Sequence, residues 1–223
     1  MQPHIRAAIF DMDGTLLDSM PVYHNLTRGY LAGLGVTVER AELDALEGKT
    51  QRQWAEYFCA AYPQIGMTPE AFDAEIDRIV EARYAAIAVP KPGCADFLAA
   101  LRDRGVRMAV ATLTARRHAE KALRDRGLFA YFDCMLTIED VGVPKYEPDI
   151  YLETARRLGV PPEESMVFED APYAGETAHR AGFRVCGVAE RAYARGEGAL
   201  RAASDWFIEA SFDELREKLQ YFG

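Results

Sequence analysis

Short apolar runs that alternate with amphipathic segments constrain the fold of this chain more than any other feature. The runs are 7–10, 106–111, 133–136, 165–168 and 184–188. The amphipathic segments beside the later runs are 94–104, 115–126, 147–158 and 172–181. Uninterrupted apolar runs are typical of parallel strands that are buried on both faces. The pattern therefore predicts an α/β fold, a doubly wound parallel sheet with helices on both faces.

The segment between the first two runs departs from this alternation. Residues 20–88 contain no convincing strand, and their patterning predicts helices at about 20–34, 39–47, 51–62 and 69–87. Thr68 and Pro69 predict the start of the last helix, because threonine is a common N-cap and proline is favoured in the first turn. We therefore expect two domains, an α/β core of 1–16 and 90–223 and an inserted helical domain of 17–89.

The C-terminal tail continues the same pattern in shorter pieces. Residues 206–208 (WFI) predict a last short strand, and 212–220 predict a closing helix. The intervening stretch 190–203 is rich in Ala, Arg and Gly, which predicts a loop with a partial helix.

Composition and charge narrow the classes of partner. The chain has 223 residues, 49% of them hydrophobic, and a net charge of −9. A negative charge disfavours nucleic acid and anionic membranes as main partners. No apolar run approaches the roughly 18 residues that a membrane span needs. The four cysteines are widely spaced, as is typical of reduced thiols. We expect a cytoplasmic monomer.

Two pairs of carboxylates follow apolar runs. Asp11 and Asp13 come directly after the first run, and Glu169 and Asp170 end the run that begins at Ser165. Ligands of doubly wound sheets bind at the carboxyl ends of the strands, and carboxylates that meet there repel one another unless a cation joins them. The first pair alone is also compatible with a surface Asx turn. Together the pairs predict an oxygen-lined site suited to Mg²⁺.

Two further segments have groups that suit a phosphate. Thr112 ends an apolar run before Leu113 and Thr114, where a hydroxyl and backbone N–H groups can hold phosphate oxygens. Lys145 supplies a compact cation. Each residue also has an ordinary explanation, since a threonine before a helix is usually an N-cap and a loop lysine is usually solvated.

Together these residues resemble the four motifs of the haloacid dehalogenase superfamily. The matching set, in order, is Asp11-x-Asp13-Gly14-Thr15, Thr112, Lys145 and Glu169-Asp170. The phrases FDMDGTLLDS, KYEPDIY and VFEDAPYAG are similar to the branch of sugar-phosphate phosphatases and β-phosphoglucomutase. The resemblance implies the strand order 3-2-1-4-5 and makes the helical block a cap. Leu113-Thr114 and Tyr146-Glu147 depart from the family pattern.

The resemblance implies a role for each matching residue. Asp11 would attack phosphorus as a nucleophile, and Asp13 would act first as general acid and then as general base. Asp11, the backbone carbonyl of Asp13, and Asp170 would hold Mg²⁺, with Glu169 binding it directly or through water. Thr112, Leu113 and Lys145 would bind the phosphate. The implied activity is hydrolysis of a small phosphorylated metabolite, such as a sugar or polyol phosphate.

Two positions in the cap help to distinguish a phosphatase from the alternative function, a phosphosugar mutase. In the mutase branch a histidine and an arginine of the cap contact the sugar. Alignment from Asp11 places Tyr23 and Gln51 at those positions, with His24 and Arg52 one residue further on. A shift of one residue turns a helical side chain by about 100°. We therefore expect a phosphatase, with Tyr23, His24 and Arg52 as candidate substrate contacts. Tyr23 is equally well explained as a core residue of the cap, and Arg52 as a solvated helix residue.

A third interpretation is a non-catalytic interaction module. The intact set of Asp11, Asp13, Lys145 and Asp170 argues against it, because a binding module need not retain all of these groups.

Overall fold

A parallel sheet of six strands forms the centre of the larger structural unit. The strands of the chain are β1 (Ala7–Phe10), β2 (Leu17–Asp18), β3 (Val89–Pro90), β4 (Arg107–Thr112), β5 (Cys134–Thr137), β6 (Ser165–Glu169), β7 (Arg184–Val188) and β8 (Trp206–Ile208). The order in the main sheet is β5-β4-β1-β6-β7-β8, and all its pairs are parallel. The five predicted apolar runs are β1, β4, β5, β6 and β7. Numbered 1 to 5 along the chain, they lie in the predicted order 3-2-1-4-5, which is confirmed, and β8 adds a sixth strand at the edge.

The computed structural model describes residues 4–46 and 49–223, apart from the side chains of 21–25, 40, 44, 83 and 85–87. The chain divides into two units, one of Met1–Asp18 with Val89–Gly223 and one of Ser19–Ala88. β2 and β3 pair antiparallel in the first unit, at the two ends of the insertion. This two-residue ribbon is too short to leave a periodic pattern in the sequence.

The helices of the larger unit cover the sheet. They are α5 (Cys94–Asp103), α6 (Arg116–Asp125), α7 (Ile138–Val141), α8 (Asp149–Leu158), α9 (Pro172–Arg180) and α10 (Glu197–Ala203). The predicted closing helix is a 3₁₀ helix over Phe212–Tyr221. The partial helix expected within 190–203 is α10. Among the described residues, no helix is both long and apolar enough to cross a bilayer.

The side chains of β1 show why helices are needed on both faces. Ala7 and Ile9 join a fully buried cluster that includes Tyr151 of α8 and Ala178 of α9. Alternate residues of a strand point to opposite faces. Phe10 accordingly lies in another cluster, where its ring stacks on Phe168 with centroids 4.4 Å apart. Burying an aromatic side chain of this size contributes about 1.5–3 kcal/mol, so both faces stabilise the sheet.

Among the described residues of the smaller unit, all regular secondary structure is helical. Its helices are α1 (Met20–Gly33), α2 (Arg40–Asp44), α3 (Gln51–Ala61) and α4 (Pro69–Ile87). Thr68 caps α4 by accepting a hydrogen bond from the Ala71 N–H, as its sequence predicts. Phe58 and Phe72 are buried between α3 and α4. The four predicted helices are present, with α2 shorter than expected and residue 47 outside the described part.

Candidate active site

Three of the four predicted carboxylates meet at one edge of the sheet. β1 and β6 pair with Phe10 opposite Phe168, so Asp11 and Glu169 leave neighbouring strands at the same level. One oxygen from each of Asp11, Glu169 and Asp170 lies within 4.8 Å of the others, and all three residues are buried. This burial rejects the surface Asx turn, and the parallel register explains the convergence.

Lys145 supplies a positive charge inside this group. Its Nζ donates to Asp11 Oδ1 at 2.5 Å and to Glu169 Oε1 at 2.6 Å, and its side chain is only 2% exposed. Burial alone lowers the pKa of an ammonium group, but the charges of Asp11 and Glu169 outweigh that effect and raise the pKa of Lys145. Lys145 is therefore a buried ammonium group held between two carboxylates rather than a solvated loop residue.

Glu169 also accepts a hydrogen bond from Tyr151, whose role in the site could not be predicted from its position in the sequence. The Tyr151 hydroxyl donates to Glu169 Oε1 at 2.6 Å, and Lys145 donates to the same oxygen. Burial raises the pKa of Glu169, while the charge of Lys145 opposes that rise. Tyr151 lies on the apolar face of α8 and looks like a core residue in the sequence, so only its hydroxyl distinguishes it.

Asp170 has one satisfied and one unsatisfied oxygen. Oδ1 accepts a 2.9 Å hydrogen bond from the Thr15 hydroxyl, whereas the buried Oδ2 has no partner among the described residues. Burial, and then the charges of Asp11 and Glu169, raise the pKa of Asp170 well above its usual range. An orphaned buried carboxylate oxygen costs free energy unless a cation or donor meets it. The all-oxygen donor set therefore fits Mg²⁺.

Asp13 is not one of the three carboxylates whose oxygens all lie within 4.8 Å of one another. Its Oδ2 accepts a 2.6 Å hydrogen bond from the Thr114 hydroxyl, and the residue is half-buried. Gly14 follows at a φ of 92°, in the left-handed region that glycine adopts without a steric penalty. The chain can thus turn sharply after Asp13. The two aspartates have different neighbours, since Asp11 accepts from Lys145 and Asp13 accepts from Thr114.

Thr112 is buried at the end of β4 and does not cap a helix. Its Oγ1 accepts a 3.1 Å hydrogen bond from the Thr114 N–H, and α6 begins only at Arg116 after Ala115. Because Thr112 is the acceptor in that bond, its own hydroxyl hydrogen is left for another partner. Leu113 lies between the two threonines and is partly buried. The ordinary N-cap explanation of Thr112 is therefore wrong.

Tyr146, which departs from the family pattern, packs beside the site. Its ring stacks on Tyr173 with centroids 4.5 Å apart, and its carbonyl accepts a 3.3 Å hydrogen bond from Thr177 Oγ1. Burial and the charges of Glu169, Asp11 and Asp170 raise the pKa of Tyr173 well above its usual range. These contacts join the loop of Lys145 to α9, which begins two residues after Asp170. Glu147, beside Tyr146, is exposed.

The candidate substrate contacts of the helical unit are described only in part. Tyr23 and His24 lie in α1, but their side chains fall outside the described residues. Arg52 forms exposed ion pairs with Glu56 and Glu70. Gln51 donates to the carboxylates of Asp73 and Asp77.

Known proteins similar to this chain are hydrolases and sugar-phosphate phosphatases. A family model for haloacid dehalogenase-like hydrolases matches residues 5–182. A phosphorylated carbohydrates phosphatase of Thermotoga maritima is 31% identical over 185 residues, which cover 82% of this chain and 85% of that protein. A fructose-1-phosphate phosphatase of Escherichia coli is 32% identical over 174 residues, covering 78% and 91%. The crystal structure of a putative β-phosphoglucomutase from Thermotoga maritima has a TM-score of 0.73 at 27% identity, covering 97% and 99%.

The matched segment of the family model contains every motif residue on which the predicted resemblance rests. The six-stranded parallel sheet and the grouping of Asp11, Lys145, Glu169 and Asp170 agree with it. The chain belongs to the haloacid dehalogenase-like hydrolases.

Proposed function

We propose that this chain is a Mg²⁺-dependent phosphatase that hydrolyses a small phosphorylated metabolite through an aspartyl-phosphate on Asp11. The observation that carries the proposal is the buried group of Asp11, Glu169 and Asp170 around the cation of Lys145. A purely structural site gains nothing from three converging carboxylates, because their repulsion costs free energy. The predicted enzyme class, a phosphoric monoester hydrolase, is confirmed by the family and by the phosphatases related to this chain.

The Mg²⁺ would be held by Asp11, Asp170 and the backbone carbonyl of Asp13, with Glu169 bound directly or through water. When bound, it neutralises phosphate charge and orients the phosphoryl group. The unsatisfied Oδ2 of Asp170 supports this assignment.

Asp11 is assigned as the nucleophile. Lys145 binds its Oδ1, so Oδ2 is the oxygen that we assign to attack on phosphorus. The Asp11 Oδ2–P bond forms as the bond between phosphorus and the ester oxygen breaks. Lys145 and Thr112 stabilise the charge of the transferred phosphoryl group. Leu113 would contribute its backbone N–H.

Asp13 is assigned to both proton transfers. In the first step it gives its proton to the departing ester oxygen, so the product leaves as an alcohol. In the second step it takes a proton from water, whose oxygen attacks phosphorus and breaks the Asp11 Oδ2–P bond. Inorganic phosphate and free Asp11 result, which restores the starting state.

The substrate class is proposed from the relatives. Their names refer to phosphorylated carbohydrates and to fructose 1-phosphate, and sugar or polyol phosphates are accordingly the first substrates to test. That the inserted helical domain 17–89 acts as a substrate-selecting cap, and that the protein is a cytoplasmic monomer, stay predictions from the sequence. The resemblance to the putative β-phosphoglucomutase keeps a phosphosugar mutase as the second candidate.

Phosphate release from a panel of sugar, polyol and aryl phosphates tests the proposal. We expect release with Mg²⁺ and none after treatment with EDTA, with poor replacement by Ca²⁺, which prefers more ligands in looser geometry. Asp11→Asn is the matched control for contaminating phosphatases, because it removes the nucleophile at nearly constant volume. Undiminished release in EDTA would contradict the metal assignment, and no release from any ester would contradict the phosphatase itself.

A further inference from the structure

Asp13 and Thr114 are joined by a short hydrogen bond between side chains that are 101 residues apart in the sequence. Thr114 Oγ1 donates to Asp13 Oδ2 at 2.6 Å, and both residues are half-buried. Hydrogen bonds from a neutral donor to a carboxylate are shorter and stronger than those between neutral groups. The bond therefore restrains rotation of the carboxylate about the Cβ–Cγ bond.

Both partners of this bond are fixed by the backbone around them. On one side, the Thr114 N–H donates to Thr112 Oγ1, which ties Thr114 to the buried end of β4. On the other side, the Gly14 N–H donates to the Leu17 carbonyl at 2.8 Å and closes the turn that follows Asp13. Because β1 and β4 are paired neighbours, these two anchored segments leave the sheet side by side.

We propose that Thr114 is a positioning residue that orients Asp13 for proton transfer to the leaving oxygen. The inference rests on the proposed function, in which Asp13 is the acid. The hydroxyl holds Oδ2, and the other oxygen, Oδ1, carries the proton to the ester oxygen. Geometry of this kind matters because a proton donor must lie within hydrogen-bond reach of the atom that it protonates.

A different role for Thr114 is a direct contact with the phosphate, since Thr112 just before it is assigned to that task. The two roles predict different effects of losing the Thr114 hydroxyl on the hydrolysis of alkyl and aryl esters. A phosphate contact serves every phosphoryl transfer equally. A contact that orients the acid matters only where the leaving oxygen needs a proton, as an alkoxide does and p-nitrophenolate does not.

The experiment compares kcat/KM for two esters, p-nitrophenyl phosphate and the best alkyl phosphate of the panel. This constant reports on steps up to departure of the first product, so it isolates the acid step from the later attack of water. In Thr114→Val we expect kcat/KM to fall roughly tenfold or more for the alkyl ester, and to change at most about threefold for the aryl ester. Thr114→Ser keeps the hydroxyl and should restore the alkyl activity.

Two reference variants give the patterns to compare. Asp13→Asn should lower the alkyl activity far more than the aryl activity, whereas Lys145→Met should lower both. Thr114→Ala also removes the hydroxyl and replaces Thr114→Val if the valine variant does not fold.

The outcomes separate the inference from the proposed function. A wild-type chain that hydrolyses neither ester overturns the proposed function, and the inference with it. With an active wild type, equal losses for both esters, or no loss for either, overturn the positioning role alone. A uniform loss in Asp13→Asn overturns the acid role of Asp13 and therefore that of Thr114.

Discussion

The Thr15 hydroxyl donates a 2.9 Å hydrogen bond to Asp170 Oδ1, while Oδ2 of the same carboxylate is buried without a partner among the described residues. The bond fixes the carboxylate of Asp170, which has an oxygen within 4.8 Å of oxygens of Asp11 and Glu169. A ligand that is oriented in this way by a second residue binds a metal more tightly, because less rotation is lost on binding.

Thr15 should therefore contribute to Mg²⁺ affinity without touching the ion. We expect Thr15→Val to weaken Mg²⁺ binding roughly tenfold, as measured by calorimetry or by the Mg²⁺-dependent rise in melting temperature. Asp170→Asn should lose most of that rise. Thr154→Val is the matched control, since its buried hydroxyl donates to the Ile150 carbonyl within α8. Equal weakening in both threonine variants would contradict the assignment.

Lys145 should be important for stability as well as for activity. Its replacement by methionine leaves Asp11 and Glu169 buried without their cation, and breaking a buried ion pair costs about 3–5 kcal/mol. We expect the free energy of unfolding in urea to fall by this amount, and Mg²⁺ to restore part of it, because the ion supplies the missing charge. Lys91→Met removes the partner of Glu190 in the same unit but leaves Asp11 and Glu169 with their own cation, so Mg²⁺ should stabilise it no more than it stabilises the wild type.

Tyr151 is predicted to stabilise the site through one hydroxyl. In Tyr151→Phe, Glu169 Oε1 keeps the bond from Lys145 but loses its 2.6 Å bond from the phenol. Loss of a buried hydrogen bond to a charged group costs about 1–3 kcal/mol, which urea unfolding would detect. Tyr62→Phe offers a comparison, since the Tyr62 hydroxyl also donates to a carboxylate, that of Glu42, but is only partly buried. A larger loss of unfolding free energy in Tyr62→Phe than in Tyr151→Phe would contradict the expectation that the buried bond contributes more.

Sequence patterns predict the sheet because burial on both faces leaves a continuous apolar run. The same patterns fail where a contact depends on register. The run 106–111 predicts β4 to within one residue of the observed Arg107–Thr112, but it does not give the pairing register of β4 with β1, and a register shift of one residue reverses the two faces of a strand. The bond between Asp13 and Thr114 depends on that register, so it could not be predicted from either residue alone.

The charged residues of the site were more predictable than their neutral partners. Asp11, Lys145 and Asp170 stand out because a buried charge needs a special environment. Tyr151 and Tyr173 do not, because aromatic residues on amphipathic helices are ordinary core residues.

Substitution of the two aspartates of the first motif should separate their roles. Asp11→Asn should abolish turnover and leave the fold intact, since it removes the nucleophile. Asp13→Asn should be severe for alkyl esters, because no other assigned group protonates the leaving oxygen. Mass spectrometry after rapid acid quenching should find a phosphorylated chain in Asp13→Asn supplied with p-nitrophenyl phosphate, and none in Asp11→Asn. Near-normal turnover in Asp11→Asn would show that the covalent mechanism is wrong.

Hydrolysis, and not isomerisation, should be the main activity of the protein. A mutase must keep its aspartyl-phosphate until a second hydroxyl of the sugar accepts the phosphoryl group, so it needs residues that grip the sugar and keep water away. Of the positions that do this in the mutase branch, Gln51 donates to Asp73 and Asp77 of its own helical unit, and the neighbouring Arg52 is paired with Glu56 and Glu70. These side chains already have partners, and a sugar would have to displace them.

The measurement is incubation with β-glucose 1-phosphate and a trace of the 1,6-bisphosphate, followed over time for glucose 6-phosphate and free phosphate. We expect free phosphate to accumulate steadily and glucose 6-phosphate to stay low, because Asp13 can activate water once the first product has left. Arg52→Ala should leave the ratio of the two products unchanged. If glucose 6-phosphate forms much faster than phosphate, and Arg52→Ala reduces that rate, the mutase is the correct function.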